Sequence, residues 1–485
     1  MDPPPPRKRA GADPNPGWTA APWAGVPHPN LTASSGTAAR ATATPPPLPS
    51  RSGASETTDA GDRATDGAST SASRAVAAAL EPVAWHAYFD EKTDVSVAVD
   101  AFETDVFRVY ARRGGERNPS RGETFARPTK EKAPAKKQKA PTTVALFAHG
   151  CAYTALSWAT TIEHLATRLD ESVLLVAFDA RDHGESTTTK RASEAEAKNA
   201  RKPPPTPPPN VSADRMASDV VAVARAAIRR FRVPASSSHD APSETDGGLE
   251  AHAPTPVKLF LVGHSMGGAA AARAAAKLGE ENADRSVRAR EFDLRGLVLV
   301  DVATTSFGGK GSATPSDASL RAATEAFLAK RPSSFATPND AVAWFVRSGC
   351  TTNLESARVS APSQLRREEK GSDAAREGNE KSESQWTWIL DARATAPHWR
   401  GWFEGLSRTF LRAKCAKLLV LAGADRLDAE LQIAQMQGKF QTVVVPGAGH
   451  AVHEDEPRKT ADAVAGFLVR YGGTPRRDGY GFEGT

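Results

Sequence analysis

The chain has 485 residues, 62 Lys and Arg against 57 Asp and Glu, and a net charge of +5. The charges lie in local clusters that nearly cancel, which does not mark a nucleic-acid-binding surface, and no uninterrupted apolar run reaches membrane-spanning length. Cys151, Cys350 and Cys415 are far apart and lack metal-type spacing. They read as reduced thiols of an intracellular protein, cytoplasmic, nuclear or both, and not as a disulfide framework.

Residues 1–78 are rich in Pro, Gly, Ser, Thr and Ala and carry few large apolar side chains, so they are expected to form a disordered tail. No apolar stretch follows Arg7-Lys8-Arg9, which excludes a secretory signal, and Asp2, Asp13, Asp59, Asp62 and Asp66 count against a transit peptide. That basic run reads either as part of a nuclear import signal or as a solvated tail. One catalytic domain is expected over 79–473. Val95–Val99 and Asp105–Tyr110 alternate apolar and polar residues, as an antiparallel pair at a sheet edge does. Residues 112–141 are a basic, Pro-containing loop. Val144–Ala148 is a buried strand ending in His149-Gly150-Cys151-Ala152. The spacing of Trp158, Ile162, Leu165 and Leu169 predicts a helix over Ser157–Leu169. Val173–Phe178 is a further strand, followed by the polar turn Asp179–Ser186.

A charged, Pro-rich insert covers 188–210. Asp214–Phe231 has helical period, and a polar insert covers 235–256. The apolar run Val257–Val262 then leads into Gly263-His264-Ser265-Met266-Gly267-Gly268 and an Ala-rich helix. Leu294–Val300 is the next strand, with Asp301 at its end. Between 303 and 400, short helices such as Leu320–Leu328 and Asp340–Arg347 alternate with polar loops and no strand-like run stands out, so a helical cap is expected there, with a charged loop at 363–384. Strands Lys417–Ala422 and Gln441–Val445, the helix Arg458–Tyr471 and a flexible tail at 474–485 complete the chain.

Every polar motif follows a strand. Alternating strands and helices imply an α/β class with a doubly wound, mostly parallel sheet and a site outside its strand ends. Gly-x-Ser-x-Gly between a strand and a helix is the context of a nucleophile elbow. There Gly263 and Gly267 avoid collision with the neighbouring helix and strand, and Ser265 stands at the helix start. A serine hydroxyl needs a base, and the base needs an orienting acid. His450, in a Gly-flanked turn after the last strand, is the candidate base. His453 is the weaker one, and His149, His183 and His264 are read as shaping their loops. Two carboxylates fit the acid, Asp301 and Asp425, and pattern alone leaves both open. The oxyanion hole would take the Met266 N–H and that of Cys151 or Ala152. Cys151 lacks an elbow and is read as a structural thiol. The order Ser, acid, His resembles that of α/β hydrolases. The fold is therefore expected to be an α/β-hydrolase fold with a helical cap insertion.

Several blocks resemble the protein phosphatase methylesterase family: Trp85–Phe89, Phe107–Tyr110, Ala155–Ala159, Asp179–Glu185, Gly263–Gly268, Asn353–Ser360, Gly401–Ser407, Asp425–Asp428, Gln435–Gln441 and Gly449–Asp455. The elbow indicates only a hydrolase, whereas the Asn353, Gly401 and Gln435 blocks are not general hydrolase motifs. The resemblance implies a serine esterase that demethylates the C-terminal leucine of the protein phosphatase 2A catalytic subunit, with no metal or cofactor. It implies Ser265 as nucleophile, His450 as base and, from the Val300-Asp301-Val302 setting, Asp301 as acid. Cys151-Ala152 departs from the family's glycine run at the oxyanion turn. Methanol is a tiny leaving group, so specificity falls to the acyl side, and Trp344, Trp402 and the 353–360 block are expected to grip the protein tail. Two rival readings are a small-molecule esterase or lipase of this fold and a non-catalytic binder of the phosphatase.

Overall fold

The structure is a computed structural model that describes residues 75–98, 104–115, 140–188, 209–232, 256–282, 291–302, 328–329, 331–368, 384–423 and 427–476. These residues all belong to one unit, Ala64–Thr485. The tail up to residue 74, most of the four inserts, nearly all of the helix expected at Leu320–Leu328, Asp425 and residues 477–485 lie outside the described residues.

The apolar runs read as strands form the centre. The strands are β1 (Glu91–Ala98), β2 (Thr104–Arg113), β3 (Thr143–Ala148), β4 (Val173–Phe178), β5 (Val257–His264), β6 (Phe292–Val300), and, after the cap, β10 (Ala416–Leu421) and β11 (Gln441–Val444). They make an eight-stranded sheet in the order β1-β2-β4-β3-β5-β6-β10-β11. β2 is antiparallel to both of its neighbours, and every pairing from β4 to β11 is parallel. The central strands are apolar at successive positions because both faces are covered. Leu146, Val176, Leu261 and Leu299 point to one side and Phe147, Leu175, Val262 and Val300 to the other. Helices α2 (Ala213–Arg232) and α3 (Ser265–Glu281) pack on the first face. The second face carries α1 (Ala159–Ala166) and α10 (Pro457–Arg470). Each fully buried Leu, Val or Phe contributes about 1.5–3 kcal/mol by leaving water.

The N-terminal boundary differs from the expectation. Residues 75–79 are helical, Leu80 packs against Val342 and Phe345, and the Val83 N–H donates to the Arg358 carbonyl at 3.0 Å. The helix expected over Ser157–Leu169 is split into a 3-10 turn, Ala155–Trp158, and α1.

Among the described residues of the cap are the helices α4 (Pro338–Ser348) and α5 (Leu354–Ser363). Thr337 and Asp340 form a reciprocal capping box before α4, which ends at Gly349 with φ +73°. The expectation that the cap region lacks strands is corrected. β7 (Ser334–Phe335), β8 (Leu365–Glu368) and β9 (Gln385–Trp388) form a small antiparallel sheet in the order β7-β9-β8. Strands this short carry too little period to separate from loop, and Arg366, Arg367 and Glu368 read as a charged loop until Trp386 and Trp388 of β9 pair across from β8. The remaining helices are α6 (Trp399–Phe403), α7 (Leu406–Arg412), α8 (Ala429–Met436) and α9 (Val452–Asp455). No helix among the described residues is long and apolar enough to cross a membrane.

Candidate active site

Four adjacent strands end at one rim of the sheet, and each is followed by a non-glycine residue with positive φ: Ala152 (+62°) after β3, Asp182 (+59°) after β4, Ser265 (+49°) after β5 and Asp301 (+46°) after β6. Among the described residues these are the four non-glycine residues in that region. Such backbone costs of order 1 kcal/mol or more each and persists only where its surroundings impose it. At Ser265 the surroundings are the elbow. A Cβ on Gly263 would collide with the Gly267 carbonyl of α3, and one on Gly267 with the carbonyl oxygens of Ala148 and His149. Both glycines are required by close backbone approach, as the sequence reading expected. α3 begins at Ser265, so the N–H groups of its first turn have no intrahelical acceptor and face the rim.

Asp301 and His450 are 149 residues apart in sequence and meet here. His450 Nδ1 lies 2.6 Å from Asp301 Oδ2. The Asp301 carboxylate is fully buried, whereas the His450 side chain is 52% exposed. Asp301 Oδ1 accepts the Ala422 N–H at 3.1 Å, and its own N–H donates to Val420 at 2.7 Å. Pairing of β6 with β10 thereby holds the acid in place. Asp425, the alternative acid, lies outside the described residues.

His149 and His183 hold the backbone of their loops. His149 Nδ1 donates to Gly150 at 2.7 Å and Nε2 accepts the Ala180 N–H at 2.9 Å. His183 repeats the pattern, donating to Arg181 at 2.7 Å and accepting the Ala152 N–H at 3.1 Å. The acceptor roles require neutral rings, and burial lowers both pKa values, that of His183 to about 4. Because the Ala152 N–H is taken by His183, the Cys151 N–H is the remaining oxyanion candidate of that pair, opposite Met266. Burial pushes the Cys151 thiol up to about 11, with Thr395 Oγ1 at 3.4 Å, so the sulfur stays protonated at neutral pH.

His264 Nε2 lies 2.9 Å from the His450 carbonyl. Its ring contacts those of His450 (4.7 Å between centroids) and His453 (4.5 Å), each pair tilted by 49°. His453 lies 4.1 Å from the Trp158 ring, is fully buried, and burial lowers its pKa to about 3. His453 is therefore packed in this ring cluster and does not present itself to the rim as a second base.

The expected grip on the acyl side is corrected at Trp402. Trp402 is 1% exposed and sits in the core with Nε1 on the Val211 carbonyl at 2.7 Å. Trp344 packs inside the cap with Phe335 and Trp388. In the 353–360 block, Asn353 caps α5 (3.1 Å to the Ser356 N–H) and Ser356 donates to the Glu454 carbonyl at 2.8 Å. This block fastens the cap to the turn after His450. The open space lies elsewhere. A cavity of about 860 Å³ is lined by Asp182, Thr188, Arg331, Trp388, Leu390 and Asp391, among others. Leu390 and Ala392 pack against Ala152, with Cys151 beside them, so the cavity shares a wall with the oxyanion turn. Arg331 lies over the Trp388 ring at 3.6 Å, and burial lowers its pKa to about 10. Neither Arg331 nor Trp388 is marked by a motif. Met436, inside the Gln435–Gln441 block, is 88% exposed, and Ile433 on the same face of α8 is 56% exposed.

The sequence matches the alpha/beta hydrolase family over residues 145–463. It is 33% identical over 421 residues to protein phosphatase methylesterase 1 of Homo sapiens, covering 81% of this chain and 86% of that protein. The Bos taurus protein of the same name is 34% identical, covering 81% and 87%. The probable protein phosphatase methylesterase 1 of Caenorhabditis elegans is 32% identical, covering 81% and 78%.

Proposed function

This chain belongs to the protein phosphatase methylesterase family and is a carboxylic ester hydrolase of the α/β-hydrolase fold, and from that premise we propose that it removes the methyl ester from the C-terminal leucine of the protein phosphatase 2A catalytic subunit. The observation that carries the mechanism is the bond of 2.6 Å between buried Asp301 and His450 Nδ1, beside a serine at φ +49° on the elbow. Asp301 keeps the proton on Nδ1, so Nε2 is the basic nitrogen. Ser265 Oγ attacks the ester carbonyl and passes its proton to His450. The tetrahedral oxyanion is met by the N–H groups of Met266 and Cys151; each such donor is worth about 3–4 kcal/mol in other hydrolases. The C–OCH3 bond breaks as His450 returns the proton, giving methanol and a leucyl ester of Ser265. Water attacks this acyl-enzyme by the same route, His450 taking its proton and Ser265 leaving as the alcohol.

Methoxide offers almost no binding surface, so recognition rests on the acyl side. The cavity beside the oxyanion turn takes the peptide tail, with the Arg331 guanidinium and the Trp388 ring as its polar and aromatic walls. The outward pair Ile433 and Met436 is apolar surface of the kind that marks a protein contact, and we assign it to the folded body of the phosphatase. Methanol release from the carboxymethylated catalytic subunit, followed beside p-nitrophenyl acetate hydrolysis, tests this reading. Ser265→Ala abolishes both, and Met436→Asp lowers the rate on the phosphatase at least about tenfold more than that on the small ester. Hydrolysis of the small ester with no methanol from the phosphatase would sink the substrate assignment.

A further inference from the structure

His450 lies in the loop between β11 and α9, Val445 to Ala451. Its ring is half exposed, so packing alone does not orient it. The Asp301 bond to Nδ1 does so together with backbone bonds on either side. On one side the His450 carbonyl accepts from His264 Nε2 at 2.9 Å. On the other, the N–H of Gly449 donates to Asp455 Oδ2 at 2.6 Å. The approach is close enough that a Cβ on Gly449 would stand 3.0 Å from that oxygen. The second oxygen of the same carboxylate serves the cap. Asp455 Oδ1 accepts from the Thr352 N–H at 2.7 Å, the Thr351 hydroxyl at 3.0 Å and the Thr352 hydroxyl at 3.1 Å. Asp455 is 9% exposed and Thr351 is fully buried.

The geometry points to Asp455 as a positioning residue for the ester hydrolysis, acting through the backbone of Gly449 to hold the His450 imidazole over the nucleophile elbow. This rests on the reading of His450 as the base. The carboxylate has two faces with two duties. Oδ2 makes a short, charge-assisted bond to the catalytic turn, and Oδ1 anchors the carboxylate itself to the segment leading into α5. Loss of the first duty releases the turn on the Gly449 side while the Asp301 and His264 bonds remain, so the ring drifts without being lost. Displacements near 1 Å at a reacting group cost up to about a hundredfold in rate. Loss of the second duty alone weakens the cap and leaves the turn in place.

The test compares Asp455→Ala with the pair Thr351→Val/Thr352→Val in the full-length protein. Both lower the melting temperature, because both remove bonds between cap and core. They separate in catalysis. With p-nitrophenyl acetate, Asp455→Ala lowers kcat about 10- to 100-fold while KM stays within about twofold, and the rate at which a fluorophosphonate labels Ser265 falls in proportion. The threonine pair keeps kcat within about twofold. A kcat for Asp455→Ala less than about tenfold below that of the threonine pair, at a temperature where both are folded, overturns the proposal. Should Asp455→Ala not fold, Asp455→Leu, which keeps the size of the side chain and offers the Gly449 N–H no acceptor, is held to the same threshold. His450→Gln run alongside separates the two levels. If it retains hydrolysis, the assignment of the base falls and the proposal with it. If it is inactive while Asp455→Ala is not impaired, only the role of Asp455 falls. A small ester is used so that the outcome does not depend on the phosphatase being the substrate.

Discussion

Asp301→Asn perturbs the proposed triad at a single pair of atoms. In the wild type, Asp301 divides its carboxylate between the His450 Nδ1 at 2.6 Å and the Ala422 N–H at 3.1 Å. An asparagine carbonyl can satisfy only one of these. If it keeps the backbone bond, its NH2 faces Nδ1 and forces that nitrogen to accept, which moves the ring proton to Nε2 and removes the base. If it flips, the amide NH2 opposes the Ala422 N–H in a fully buried position, at about 1–3 kcal/mol for the unsatisfied donors. The first arrangement costs less, so the wrong tautomer prevails. The same exchange in other triads lowers kcat about 10⁴-fold, equivalent to about 5.5 kcal/mol of barrier. The His450 side chain is 52% exposed, so water offers a partial alternative partner and a loss of about 10³ to 10⁴ is expected. Methanol release from the carboxymethylated phosphatase and hydrolysis of p-nitrophenyl acetate both read it, with Ser265→Ala as the floor and Asp425→Asn as the comparison. Asp425→Asn is expected within about threefold of wild type. Retention by Asp301→Asn of more than about a tenth of wild-type kcat, or an equal loss in Asp425→Asn, would refute the assignment of the acid.

Three further outcomes follow from the site. Gly267→Ala presses a methyl group into the backbone carbonyls of Ala148 and His149, which cannot rotate away; a loss of about 3 kcal/mol or more and, for a domain of this size, a melting point lower by roughly 4–5 °C are expected, and a shift under about 1 °C in a thermal melt would contradict it. His183 has a folded pKa of about 4, below its unfolded value, so the unfolded chain takes up the proton first. Its contribution is full above about pH 6.5 and is lost as pH falls through 4, amounting to about 3 kcal/mol between pH 7 and pH 4. Denaturant titrations across that range should show His183→Gln with a slope flatter by this amount, and unchanged slopes would remove the neutral-ring argument. Arg331→Met should raise KM for peptides ending in leucine methyl ester about tenfold while kcat/KM for p-nitrophenyl acetate stays within about twofold; equal effects on both would detach the cavity from peptide binding.

The family-specific blocks show how sequence signal and role can separate. Asn353–Ser360 and Gly401–Ser407 marked the family, and a grip on substrate was expected of the first block and of Trp402. In the fold they do interior work. Ser356 bonds the turn after His450, the Gly401 carbonyl accepts from Arg273 at 2.7 Å, and Ser407 bonds Asp428 at 2.5 Å. The residues that line the open cavity, Arg331 and Trp388, carried no pattern, because an arginine beside a proline and one tryptophan among nine look like any others until the cap sheet brings them together.

What the sequence determined by itself is what neighbouring residues impose on one another. Alternation of apolar runs with helical periods required a doubly wound sheet, and two glycines around Ser265 in a strand-turn-helix context marked the elbow, where a side chain on Gly263 would meet the Gly267 backbone and one on Gly267 the end of the neighbouring strand. The order of serine, acid and histidine followed from the same reading. Only the tertiary structure decided matters that join distant residues. It brought Asp301 to His450 across 149 positions by pairing β6 with β10. It committed the Ala152 N–H to His183, turned Trp402 into the core and assembled the cap strands of two to four residues. These depend on which surfaces pack together, and packing is a property of the whole folded chain that no local period or spacing encodes.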